Sequence, residues 1–159
     1  MDFATTDLCD EFADRLQIPA PIFKSFGGKA AFCGPIATLK VFEDNALVRS
    51  TLSTPGAGKV LVVDGGGSLR CALVGDQLAA LAIQNDWSGV VVYGSIRDSA
   101  VVKEMSVGLV ALSTHPLRSA RKGIGEADIA VTFAGVTFKP GAYIYADADG
   151  IIVADQRLK

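Results

Sequence analysis

From residue 59 to residue 112 the chain alternates short, nearly unbroken apolar runs with longer segments, the rhythm of β–α–β units. Residues 59–63, 89–93 and 107–112 carry few polar side chains. Runs of this kind predict strands buried on both faces, as in parallel sheets. Between them, 77–86 is almost wholly apolar and predicts a deeply packed helix, and 99–105 predicts a shorter one. Towards the N-terminus, Leu8, Phe12 and Leu16 stand four apart and predict a helix capped by Thr5 or Thr6 and running to about Leu16. Pro19 and Pro21 end it, and Phe23 and Phe26 anchor the loop that follows. Residues 31–42 predict one bent strand or a strand pair, broken at Gly34-Pro35. Glu43-Asp44-Asn45 starts a second helix with Leu47, Val48 and Leu52 as its buried face, and Pro55-Gly56-Ala57-Gly58 is a turn. After Ile129 the pattern is strand-like only, over 130–133, 136–138, 142–145 and 150–153. The expected fold is α/β: a compact, layered single domain over 1–159 with a mixed, partly parallel sheet. The lack of helices in the last thirty residues argues against a purely doubly wound nucleotide-binding fold.

Composition narrows the function classes. A chain of 159 residues, half of them hydrophobic and 20% charged, can bury one real core. A formal charge of -2 provides no basic footprint for nucleic acid. No run approaches the ~18 apolar residues of a membrane span, and the acidic start Met1-Asp2-Phe3-Ala4 lacks the pattern of a signal peptide. Cys9, Cys33 and Cys71 are odd in number and widely spaced, which points to a reducing cytoplasm, with Cys33 and Cys71 as small core residues.

Three familiar motifs fail. Gly56-Ala57-Gly58-Lys59-Val60 resembles the tail of a phosphate loop, but Val60 stands where Ser or Thr is needed and Ser53 where glycine is needed. Asp64-Gly65-Gly66-Gly67 follows a strand without completing GxGxxG and predicts a tight turn with positive φ, or else a close backbone approach to a ligand. His115 is the single histidine, so a histidine-rich metal site is excluded and a structural role is expected.

The chemistry concentrates at two strand-to-helix junctions. The first is Val74-Gly75-Asp76-Gln77-Leu78, and the second is the run 90–96 followed by Arg97-Asp98. Twenty residues separate Asp76 from Arg97, about one helix plus one strand. In parallel units the strand ends point the same way, so both junctions open onto one crevice. Taken singly, Asp76 and Asp98 read as helix N-caps and Arg97 as a side chain snorkelling at the sheet edge. Taken together they supply more. The amides of Gln77 and Leu78 lack intrahelical acceptors and suit a carboxylate. Arg97 offers a planar fork to an anion. Asp98 is a hard oxygen ligand suited to Mg²⁺ or Mn²⁺. These residues predict a small-anion site with a metal beside it.

Asp76, twenty residues, then Arg97-Asp98 resembles the signature of the class II 4-hydroxy-4-methyl-2-oxoglutarate aldolase family, which includes the regulator of ribonuclease E activity A proteins. The likeness runs through Phe26-Gly27-Gly28, Cys33-Gly34-Pro35-Ile36, Phe42-Glu43-Asp44-Asn45, Val63-Asp64-Gly65-Gly66-Gly67, Gly123-Ile124-Gly125-Glu126, Gly135-Val136-Thr137-Phe138 and Asp147-Ala148-Asp149-Gly150. Where the family often has glycine four residues before the first acid, this chain has Ala72. Some members have carried a menaquinone methyltransferase label, but no motif here supports binding of S-adenosylmethionine.

The resemblance implies a layered fold of the swivelling-domain type and a metal-dependent lyase. Such an enzyme cleaves 4-hydroxy-4-methyl-2-oxoglutarate to two pyruvates and decarboxylates oxaloacetate through a shared pyruvate enolate. By position, Gly75, Asp76, Gln77 and Leu78 would cradle the substrate carboxylate, and Arg97 would hold the 2-oxo acid and stabilise the enolate oxygen. Asp98 would bind the divalent cation, and Asp76 would order water or assist proton transfer. Lys40 is the one candidate for a Schiff base, and its plain reading is the outward face of a strand. Glu126, Asp147 and Asp149 are candidates for the acidic groups that larger members carry in a C-terminal extension, although Asp147-Ala148-Asp149-Gly150 reads as a turn. The resemblance further implies a homotrimer, with trimers able to pair into hexamers. The competing reading is a regulator that binds and inhibits ribonuclease E, which needs a surface and no reacting centre. An acid beside Arg97 favours the enzyme.

Overall fold

The computed structural model describes residues 2–159. Four parallel strands form its centre: β3 (Phe32–Lys40), β4 (Val60–Asp64), β6 (Gly89–Ile96) and β7 (Leu109–Thr114), hydrogen-bonded in the spatial order β3, β4, β6, β7. Antiparallel strands flank them. Beyond β3 lie β11 (Tyr143–Asp147), β12 (Gly150–Ala154) and β1 (Leu16–Gln17), and beyond β7 lies β2 (Lys24–Ser25). Short β8 (Glu126–Ala127) adds to β3. A separate hairpin, β9 (Val131–Phe133) with β10 (Val136–Phe138), completes the strands. The sheet is mixed and partly parallel, as the sequence pattern requires.

The apolar runs are explained by burial on both faces. Leu61 and Val63 of β4, with Val90 and Val92 of β6, point into a core shared with the helices α2 (Ala46–Leu52), α3 (Asp76–Gln84) and α4 (Ser99–Val102). The alternate residues Val60, Val62 and Val91 point the other way, into a core closed by Val131, Phe133, Val136 and Phe138 of the β9–β10 hairpin. Helix α1 (Thr5–Phe12) covers a third cluster of Leu8, Tyr145 and Ile152. A sheet sandwiched between helices and a hairpin is a layered α/β domain.

Several local expectations are corrected. The first helix ends at Phe12, passes through a 3-10 turn at Ala13–Arg15, and Leu16 joins a strand because it pairs with Ala154 of β12. Phe32–Lys40 is one continuous strand, since Gly34 and Pro35 pair with Ile144 and Tyr143 on its antiparallel side. Helix α3 packs less deeply than its composition suggests. Leu78, Ala79 and Ala82 are buried, but Ile83 is 43% exposed. The helix after Asp98 is a single turn. Strands β1, β2 and β8 leave no mark in the sequence, and of β5 (Ala72–Val74) only the end at Val74 is legible, as the strand side of the first junction. Each has only two or three residues, too few for an alternating pattern to declare itself.

Two expected turns form. Gly66 and Gly67 take φ of 67° and 73°, the left-handed region where glycine meets no Cβ penalty, and the Asp64 carboxylate accepts the Gly66 N–H at 2.9 Å. Asp147-Ala148-Asp149-Gly150 joins β11 to β12, with Asp147 accepting from the Thr5 N–H and hydroxyl at 2.8 and 2.7 Å. Lys40 is exposed, as expected, and the Nδ1 of His115 accepts the Leu117 N–H at 3.1 Å, a structural role. Cys71 is buried while Cys33 is half-buried, and all three cysteines are free. No described helix is long and apolar enough to cross a membrane.

Candidate active site

The site depends on how β6 is shared. Its first half pairs with β4, through Val60–Asp64 against Gly89–Tyr93. The chain then leaves the sheet at the Asp64 turn and returns as β5, which pairs in parallel with the far end of β6 at Ser95 and Ile96. Two parallel neighbours therefore end side by side. Helix α3 starts at Asp76, straight after β5, and Arg97-Asp98 follows β6. The Arg97 N–H donates to the Val74 carbonyl at 2.9 Å, which ties the junctions together.

Gly75, Asp76, Gln77, Leu78, Arg97 and Asp98 all line one small cleft of about 60 Å³. Every residue assigned to the site from the sequence is thus brought to one place. Asp98 occupies the N-cap position of α4, as the plain reading has it, but Asp76 does not occupy that of α3. Gly75 is the cap residue of α3, Asp76 is already helical, and neither helix start has a side-chain cap. Asp98 is left-handed, with φ 58° and ψ 36°. That conformation costs most residues about 1–2 kcal/mol and aspartate less. Its carbonyl accepts the amides of Val101 and Val102 at 3.0 and 2.9 Å. The backbone starts the helix, and the carboxylate turns away across the cleft, where Oδ2 accepts the Asp76 N–H at 3.3 Å. The first-turn amides of Gln77 and Leu78 have no intrahelical acceptor and no capping side chain.

Gly75 makes this approach sterically feasible. A Cβ there would lie 2.7 Å from Oδ2 of Asp98 and 3.3 Å from Cγ of Arg97. Its φ of -130° suits any residue, so the constraint is space and not backbone strain. Gly75→Ala is therefore expected to displace both functional side chains while leaving the fold nearly as stable. A displacement near 1 Å at a reacting centre costs roughly 10²-fold in turnover. Parallel measurement of turnover and melting temperature checks this: loss of stability equal to the loss of activity would contradict it.

No cluster of three or more His, Cys, Asp or Glu side chains able to hold a metal occurs among the described residues. The described residues thus offer no caged zinc-type site. Asp98 with Asp76 beside it, open to water, fits a hydrated hard cation such as Mg²⁺, which is commonly held through one or two carboxylates.

Sequence reasoning missed the four other polar side chains that line the cleft: Asn45, Arg49, Arg118 and Arg121. Arg49 donates to Oε1 of Gln77 at 3.1 Å, and Asn45 donates through Nδ2 to the Leu73 carbonyl at 3.0 Å. Arg118 follows the end of β7, a third parallel strand whose C-terminus opens on the same edge, and that was the available signal. The alternative acids fall elsewhere. Asp147 and Asp149 border a separate hollow near Thr5 and Phe23, and Glu126 pairs with Lys40 in the β8–β3 ladder.

Known proteins share this architecture. The Aldolase/RraA family model matches residues 5–153. A protein of Aromatoleum aromaticum, provisionally named 4-hydroxy-4-methyl-2-oxoglutarate aldolase, is 61% identical over 99% of both chains. The structure of the RNA-processing inhibitor RraA from Thermus thermophilis superimposes with a TM-score of 0.96 at 46% identity, covering 100% of this chain and 96% of that one. A Geobacillus kaustophilus protein described as an S-adenosylmethionine:2-dimethylmenaquinone methyltransferase gives 0.95 at 51% identity, covering 98% and 97%. With a family model spanning nearly its whole length, and relatives this similar end to end, the chain belongs to the Aldolase/RraA family.

Proposed function

We propose that the chain is a carbon–carbon lyase for 2-oxo acids. It cleaves 4-hydroxy-4-methyl-2-oxoglutarate to two pyruvates and decarboxylates oxaloacetate as a second activity. The observation that carries this reading is the convergence of Arg97, Asp98 and the free α3 amides in one cleft. The names given to the curated relatives point the same way. The methyltransferase description of one structural neighbour finds no support in the sequence, which carries no motif for S-adenosylmethionine.

In this reading the substrate's C1 carboxylate lies on the amides of Gln77 and Leu78, where the positive end of the helix favours negative charge. Arg97 donates to the C2 oxygen. When the C3–C4 bond breaks, its electron pair moves into the C2–C3 unit and onto that oxygen, and the guanidinium stabilises the charge that develops. The C4 hydroxyl gives up its proton to water ordered by Asp76, and C4 becomes the carbonyl of the second pyruvate. The enolate then takes a proton at C3 to give the first pyruvate. With oxaloacetate the same bond breaks and carbon dioxide leaves. Mg²⁺ or Mn²⁺ held at Asp98, with water in the rest of its shell, would supply Lewis acidity at the C2 carbonyl.

The test is pyruvate release from both substrates, with Mg²⁺ or Mn²⁺ and again with a chelator. Metal-dependent release is the expected result, and a rate no higher than background with either metal would refute the reading. A homotrimer goes with this proposal, and exposed Phe42 and Leu117, which flank the Glu43–Arg70 ion pair, offer apolar surface for it. The likeness to an RNA-processing inhibitor favours a second reading, inhibition of ribonuclease E by surface contact. Undiminished ribonuclease E cleavage at saturating protein would dismiss that one.

A further inference from the structure

Four guanidinium groups, those of Arg49, Arg97, Arg118 and Arg121, line the small cleft. None has a carboxylate within 4.0 Å; among the described residues the ion pairs are Arg70 with Glu43 and Lys159 with Glu11. The cleft's two carboxylates, Asp76 and Asp98, balance half of this charge and leave two positive charges in excess. Arg49, Arg118 and Arg121 are exposed, and no side chain of the described residues pairs with this excess. The 2-oxo acid head described above uses Arg97 alone. We propose that Arg118 and Arg121, backed by Arg49, form a second anion subsite that takes the C5 carboxylate of a five-carbon dicarboxylic 2-oxo acid, the carboxylate that is retained when the C3–C4 bond breaks. Oxaloacetate, whose distal carboxylate must leave as carbon dioxide, gains nothing from this subsite. This rests on the reading of Arg97 and Asp98 as the 2-oxo acid site.

The segment that carries these arginines is held in place beforehand. The His115 N–H donates to the Ile96 carbonyl at 2.9 Å, and the Ala72 N–H donates to the Leu117 carbonyl at 2.7 Å. The Ala120 N–H donates to Glu43, and the Asn45 N–H donates back to Ala120, at 3.0 and 3.1 Å. Next to Arg121, the buried Asp44 carboxylate accepts the amides of Lys122, Gly123 and Ile124 at 2.9, 3.2 and 3.4 Å, and that of Ala46 at 3.1 Å. Burial pushes this acid up, but the four amides outweigh it and hold its pKa below the ordinary value, so it stays charged and keeps its grip. Glu43, pulled down to about 2 by Arg70 and Ser68, anchors the other side. Asp44 thus fixes the backbone that follows Arg121. The backbone beneath the two guanidiniums is ordered, so binding a carboxylate has only their exposed side chains left to fix. A lysine in its place would offer charge without the fork.

Calorimetric titration in the presence of Mg²⁺ tests the subsite with three probes. Pyruvate has the 2-oxo head only, glutarate has two carboxylates and no oxo group, and 2-oxoglutarate has both. The natural chain should bind 2-oxoglutarate roughly tenfold or more tightly than pyruvate. The double variant Arg118→Gln, Arg121→Gln should lose that preference and keep its affinity for pyruvate. Should that variant fail to fold, Arg118→Lys with Arg121→Lys keeps the charge and is expected to retain only part of the preference. Equal affinity for the two oxo acids in the natural chain overturns the subsite, as does a preference that survives undiminished in the variants or a variant that weakens both acids equally. Glutarate binding that needs Arg118 and Arg121, in a chain that ignores pyruvate, would sustain the subsite and sink the 2-oxo acid reading. Binding of none of the three overturns both.

Discussion

Arg97→Ala should lower kcat/KM for pyruvate release by about 10³-fold, a loss of roughly 4 kcal/mol of transition-state stabilisation. Arg97 is half-buried, its backbone N–H is held by Val74 at 2.9 Å, and no carboxylate neutralises it. It enters the reaction unpaired, so its attraction is available to the oxygen on which charge grows. An interaction that strengthens only as the C3–C4 bond breaks appears in kcat more than in KM. Arg97→Lys keeps the charge and loses the fork, and should recover only part of the rate. Steady-state kinetics on oxaloacetate decide the matter. A variant with raised KM and unchanged kcat would mean that Arg97 only binds.

Asp98→Asn should be as damaging, for a different reason. The change preserves shape, and an amide oxygen can still accept the Asp76 N–H that now reaches Oδ2 at 3.3 Å. The side chain does not cap its own helix, so the turn at φ 58° has no need of the charge. Stability should therefore stay within about 0.5 kcal/mol of the natural chain. A neutral amide is a poor ligand for a hard divalent cation, so stimulation by Mg²⁺ or Mn²⁺ should vanish and turnover should fall by about 10³-fold or more. Metal titration followed by pyruvate release measures both effects. Full stimulation in the variant would remove Asp98 from the metal site.

What the sequence disclosed depended on length and spacing. The long apolar runs of β4, β6 and β7 declared a parallel sheet because both faces of each strand are buried. The twenty-residue interval between Asp76 and Arg97 then implied that the two junctions adjoin, and they do. Of β5 the sequence showed only the strand end at Val74 and not its pairing. Yet β5 supplies the parallel partner that carries Asp76 to the end of β6. Left-handed Asp98 was equally hidden, because its conformation follows from the need to start α4 with its backbone while its carboxylate faces Gly75. Arg118 and Arg121 escaped because their position depends on hydrogen bonds to Ala72, Glu43 and Asp44, none of them near in the chain. Helix α3 misled for the opposite reason. Its composition implies burial all round, but the helix covers the sheet with Leu78, Ala79 and Ala82 and leaves Ile83 at the surface.

The most direct measurement is a crystal structure of the chain soaked with pyruvate and Mg²⁺. The account predicts the pyruvate carboxylate on the amides of Gln77 and Leu78, its C2 oxygen at the Arg97 guanidinium, and the ion beside Asp98. Pyruvate or the ion ordered anywhere else, with this cleft holding only water, would contradict it.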